Sequence, residues 1–119
     1  MQAVTLPYPP SANRYVRHTV KGSYRTSEAN AYRRQAQLMA MAAGMRQRHF
    51  GPVEIRATLH PKLTKKGVAS EVRIDLDNCL KVALDALQGI AFENDKQVTR
   101  IVLEVGEPLD IGGLTVEVR

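Results

Sequence analysis

Asp75-Leu76-Asp77-Asn78-Cys79-Leu80-Lys81-Val82-Ala83-Leu84-Asp85-Ala86-Leu87-Gln88-Gly89 organises this chain. Leu80, Ala83, Leu84 and Leu87 fall at helical spacing and predict an amphipathic helix over about residues 77–88. Gly89 can take the left-handed conformation that ends it. Upstream, Val53, Ile55, Ala57 and Leu59 alternate with Glu54, Arg56, Thr58 and His60, the period of a half-buried strand. Downstream, Thr99, Ile101, Leu103 and Val105 alternate in the same way, and so do Leu114, Val116 and Val118. Gly112-Gly113 falls in the turn between these two runs. A helix set between strands on both sides excludes an all-helical or an all-strand chain.

Working outward, Ala3 to Leu6 reads as a short first strand, stopped by Pro7, Pro9 and Pro10. Lys21-Gly22 turns a hairpin between Tyr15–Thr19 and Ser23–Thr26. Ser27 reads as the N-cap of a long helix from Glu28 to about Arg48. Tyr32, Ala36, Met39 and Ala43 would face the core. Gly51-Pro52 breaks that helix, and residues 61–70 read as a polar, mobile loop. The order strand, hairpin, helix, strand, helix, two strands predicts one α+β domain over residues 1–119, a mixed β-sheet packed against two main helices.

The formal charge of +5 is unevenly spread. Up to Ser70 there are twelve Lys/Arg against two acids; from Glu71 onward there are five against ten. The first part suits a polyanion, and the second gathers carboxylates. The single cysteine, Cys79, excludes an internal disulfide and a paired-Cys zinc site, and it falls on the apolar side of its helix as a buried, inert thiol. The start is too short for a signal sequence and no apolar run is long enough to span a bilayer, so a cytosolic protein is expected.

The acids carry the chemistry. Asp75 and Asp77 point the same way in an extended segment and lie just before the predicted helix. Two like charges ~4 Å apart repel by about 4 kcal/mol at an effective dielectric of ~20, a cost that a hard cation removes. Two readings compete. In one, Asp75, Asp77 and Asp95 hold a divalent cation beside Lys81. In the other, Asp77 caps the helix and Asp77, Lys81 and Asp85 form an i,i+4 ladder worth a few tenths of a kcal/mol. An EF-hand opening at Asp75 is excluded, because Leu80 and Ala86 stand where it needs Gly and Glu. A phosphatase-type Asp-x-Asp nucleophile fits poorly with a helix starting so close behind it. Glu93 is a spare ligand candidate.

These residues resemble the RusA-type Holliday junction resolvases. The resemblance is carried by Leu6-Pro7-Tyr8-Pro9-Pro10-Ser11 with Asn13-Arg14-Tyr15, by Asp75-Leu76-Asp77-Asn78 with Lys81, by Asp85-Ala86-Leu87, and by Asp95-Lys96-Gln97-Val98. It implies a homodimeric, Mg²⁺-dependent endonuclease that cuts opposing strands of four-way DNA. Asp75, Asp77 and Asp95 would hold the metal and Lys81 would be catalytic. One departure is Ile74, where relatives often carry a basic residue. DNA contacts are expected from Asn13, Arg14, Arg17, His18 and Lys21, from Lys62, Lys65 and Lys66, and from Arg73, mostly to phosphates. Tyr15 and Tyr24 either stack on unpaired bases or pack in the core. His49 and His60 have no evident partner in the sequence. The rival to the nuclease is a non-catalytic junction-binding module whose acids are structural.

Overall fold

The computed structural model describes residues 2–11, 14, 16–45 and 49–119. Its elements are β1 (Gln2–Leu6), β2 (Val16–Thr19), β3 (Gly22–Arg25), α1 (Ser27–Ala42), β4 (Val53–His60), α2 (Leu76–Leu87), a 3-10 turn (Asp95–Gln97), β5 (Val98–Val105) and β6 (Gly113–Val118). The four-stranded sheet has the order β1-β6-β4-β5, and β2-β3 forms a separate hairpin. β6 runs antiparallel to both β1 and β4, whereas β4 and β5 are parallel. Parallel neighbours need a long crossover. α2 lies within that crossover, so its ends are fixed against the sheet on both sides of the sequence.

Alternation decides which side of the sheet is dry. Val53, Ile55, Ala57 and Leu59 of β4 are buried, as are Leu114, Val116 and Val118 of β6 and Val4 and Leu6 of β1. The buried side chains of the helices are Ala29, Tyr32, Ala36 and Ala40 from α1, and Cys79, Val82, Ala83, Ala86 and Leu87 from α2, most of them small. The expected mixed sheet and two helices are present.

Several boundaries differ from the sequence expectation. The N-cap of α1 is Thr26, not Ser27: its extended backbone lets Oγ1 accept from the Ala29 N–H at 3.1 Å. α1 stops at Ala42 rather than near Arg48. Gly44, at φ +93°, donates to the Met41 carbonyl while Met45 donates to that of Ala40. These are the paired bonds of a Schellman stop, and Met45 is fully buried behind it. The core stripe of α1 shifts with this: Ala40 is buried, Met39 is half-buried and Ala43 is exposed. On α2 the buried set is centred on Val82, Ala83 and Ala86, leaving Leu80 and Leu84 half-buried. The 61–70 loop is tied down: Leu63 N–H donates to the Leu109 carbonyl, Ser70 N–H to that of Lys62, and Thr64 N–H to that of Val68.

Candidate active site

Asp75 is the N-cap of α2, at φ −69° and ψ 150°, and its side chain makes no capping bond. Its carbonyl accepts from the Cys79 N–H at 3.2 Å, so the backbone caps the helix while the carboxylate stays out of that task. Asp77 stands in the first turn. Both are exposed, at the end of the helix where aligned peptide dipoles favour negative charge. The i,i+4 ladder of the alternative reading does not form among the described residues. Asp85 turns instead to Arg25, whose Nη1 lies 2.9 Å from both carboxylate oxygens, and Arg33 Nε lies 3.8 Å from Oδ2. Arg33 also donates to the Asp85 carbonyl at 3.2 Å. Asp85 therefore ties the hairpin and α1 to α2. Among the described residues, Asp75, Asp77, Lys81 and Asp95 have no hydrogen-bonded side-chain partner and no ion pair.

The fields of the two aspartates reach into the core. Cys79 is fully buried, and burial pushes its thiol up to about 11, against the lowering effect of nearby Arg73; Asp77 and Asp75 raise it further. The expected inert thiol is what the structure contains.

Asp75 and Asn78 open into a cleft of about 470 Å³ that is also lined by Tyr8, Lys62 and Arg73. Lys62 holds its ammonium 5.0 Å from the centre of the Tyr8 ring. Tyr8 Oη accepts from the Ile74 N–H at 2.9 Å, fixing the segment that leads into Asp75. Asp95 lies in the 3-10 turn, capped by Asn94, whose Oδ1 accepts from the Lys96 N–H at 2.9 Å. It borders a second cleft, of about 450 Å³, together with Lys81, Asp85 and Arg25. The chain thus pairs Asp75 with Asp77 at one helix end and Asp95 with Lys81 on one cleft. Among the described residues, no three His, Cys, Asp or Glu side chains gather into a group that could hold a metal. The donors themselves suit Mg²⁺, a hard cation that is commonly held by one or two carboxylates with substrate phosphate completing its shell.

Arg17, His18 and Lys21 are exposed on the β2-β3 hairpin, and His18 Nδ1 lies 2.7 Å from Ser23 Oγ. Tyr24 is 55% exposed, which removes it from the core. Asn13 and Tyr15 lie outside the described residues. Arg14 is exposed, 3.9 Å from Glu28. Lys65, Lys66 and Arg73 are exposed, and so is Glu93. His60, which had no evident partner, bonds through Nδ1 to the Glu107 carbonyl (2.7 Å) and through Nε2 to Thr115 Oγ1 (2.8 Å). His49 Nε2 has none. Sequence reasoning missed Tyr8 and Gln97 as supports of the site. Their bonds span 66 and up to 48 residues of chain, and no local pattern announces such a contact.

The mixed sheet thus presents Asp75 and Asp77, exposed at the start of its crossover helix, close to the exposed cations Lys62 and Arg73. The model of the family described as "Endodeoxyribonuclease RusA" matches residues 7–119, and the chain belongs to that family. It is 33% identical over 111 residues to the crossover junction endodeoxyribonuclease RusA of Escherichia coli strain K12, covering 93% of this chain and 87% of that protein. The enzyme of the same name from Shigella sonnei matches to the same extent. That of Enterobacteria phage 82 is 32% identical over 110 residues, covering 92% and 86%.

Proposed function

We propose that this protein is a Mg²⁺-dependent, structure-selective endodeoxyribonuclease that resolves four-way DNA junctions in recombination and repair. One observation carries the reading: Asp75, Asp77, Asp95 and Lys81 stand in or beside two clefts that also carry Lys62, Arg73 and Arg25, and among the described residues none of the four has a side-chain partner.

Asp75 and Asp77 would hold the metal from the N-terminus of α2, with Asp95 as the third acid. Bound Mg²⁺ supplies charge neutralisation at the phosphoryl oxygens and a more acidic water. Lys81, one turn beyond Asp77, offsets the negative charge that develops on the phosphoryl group or leaving oxygen. Lys62 and Arg73, on the cleft of Asp75, draw the DNA backbone toward the acids. Arg14, Arg17, His18 and Lys21 would extend this surface, Asn13 is proposed as a further DNA contact, and Lys65 and Lys66 add charge from their turn. All would hold phosphates and set register without reading bases.

Two scissile strands call for two related sites, which a two-fold homodimer supplies. Among the described residues the outer edge of β5 has no strand partner, and its core-side Ile101 and Val105 are 41% and 42% exposed. An antiparallel second copy with the two-fold axis at Val102 would set Arg100 opposite the partner's Glu104. No helix among the described residues is long and apolar enough to cross a membrane, in keeping with a proposed cytoplasmic location.

A second reading, a junction-binding module without catalysis, draws on the absence of a closed three-acid group among the described residues. Incubation with a synthetic four-way junction separates them. Symmetric nicks with Mg²⁺ and none with EDTA support the nuclease; bound but uncut junction with every metal supports the module.

A further inference from the structure

Gln97 makes four side-chain hydrogen bonds. Its Oε1 accepts from the N–H groups of Glu93 (2.9 Å) and Asn94 (2.8 Å), and its Nε2 donates to the carbonyls of His49 and Gly51 (both 2.8 Å). A carboxamide offers two donors and two acceptor lone pairs, so this side chain is fully used and its orientation is unambiguous. Neither a carboxylate nor a thioether of the same length can replace it.

The turn it holds has little else to hold it. Residues 93–96 are all exposed, and the next anchor inward is the buried Phe92. The other bonds of the turn are the Asn94 cap on Lys96, the backbone bond from Gln97 N–H to the Asn94 carbonyl and that from Val98 N–H to the Asp95 carbonyl. Between these anchors stands Asp95, whose carboxylate has no partner among the described residues. A turn that carries no packing load, stitched to a segment more than 40 residues away, is built to hold something in place.

We infer that Gln97 is a positioning residue that fixes the Asp95 carboxylate at the mouth of the Lys81 cleft. It never touches the reacting atoms. It acts by fixing the backbone on both sides of Asp95, so that the carboxylate meets a metal without a search through turn conformations. This rests on the proposed role of Asp95.

The test compares Gln97→Met, which keeps the shape and loses all four bonds, with Asn94→Ala, a milder loosening of the same turn, and with Asp95→Asn. Folding is checked by circular dichroism, Mn²⁺ binding by electron paramagnetic resonance, and cleavage by Mg²⁺ titration. Weakened outer-shell support costs metal affinity about 10- to 100-fold. Gln97→Met is expected to weaken Mn²⁺ binding and raise the Mg²⁺ needed for half-maximal cutting within that range, with cutting largely recovered at saturating Mg²⁺ and junction binding in EDTA unchanged. Asn94→Ala is expected to shift both in the same direction by less, and it decides the matter if Gln97→Met does not fold. Folded variants with unchanged Mn²⁺ affinity and Mg²⁺ requirement overturn the inference. Undiminished cutting by Asp95→Asn overturns instead the reading on which it rests.

Discussion

The acids divide into two kinds by what they touch. Asp85 is spent on Arg25 and Arg33, whereas Asp75, Asp77 and Asp95 have no such partners among the described residues. Replacing Asp75 by Asn should therefore leave the melting temperature nearly unchanged and abolish cleavage. Loss of several kcal/mol of metal-derived stabilisation corresponds to a rate fall on the order of a thousandfold. Gel assays of cutting beside electrophoretic assays of binding check this, and a cutting rate near wild type would remove Asp75 from the site. Cys79 makes a separate prediction. Its thiol is raised to about 11 in the fold from an ordinary value of 9.0, so the folded state keeps a proton that the unfolded chain releases. This contribution is fully present below pH 9 and is lost as pH rises toward 11. Cys79→Ala should flatten the fall in denaturation midpoint over that window, and the native thiol should resist alkylation near neutral pH.

Elements were legible where local periodicity carries them. β4 and β6 followed from strict alternation, because each buries one face. α2 was legible from its stripe and Gly89, with bounds displaced by one residue. The end of α1 was not read, although its signal is local: Gly44 allows the left-handed turn that lets Met45 fold back. Gly44→Ala should cost about 1 kcal/mol, since no neighbour lies within 4 Å and the penalty is the positive φ alone. Thermal melts check this; an unchanged melting temperature would mean the helix end relaxes. The i,i+4 spacing offers Asp85 a place in a ladder as one of two readings, because sequence shows only near neighbours, whereas its partner Arg25 is 60 residues away. Asp85→Ala should lower stability by about 1 kcal/mol, discounted because the pair is a third exposed, and should leave residual cutting that Asp75→Asn lacks.

On the scale of the whole molecule, the uneven charge seen in the sequence becomes a surface. Lys62 and Arg73 share the cleft of Asp75, and Lys65 and Lys66 sit on the adjoining turn. Replacing Lys62, Lys65 and Lys66 by Ala should weaken junction binding and reduce the slope of log affinity against log salt by up to about 2.7, at ~0.9 per phosphate contact. An unaltered slope would exclude this turn from the DNA. Nothing in the local pattern shows that β4 and β5 are parallel, nor that Tyr8 and Gln97 reach across the chain to support Ile74 and the Asp95 turn. Such contacts exist only once the crossover is closed. The most direct measurement is cleavage of a synthetic four-way junction by the wild-type protein and by Asp77→Asn, with Mg²⁺ and with EDTA. Paired nicks in opposing strands by wild type with Mg²⁺ alone, and tight binding without cutting by Asp77→Asn, are the predicted results. Equal cutting by both proteins, or cutting in EDTA, would contradict the account.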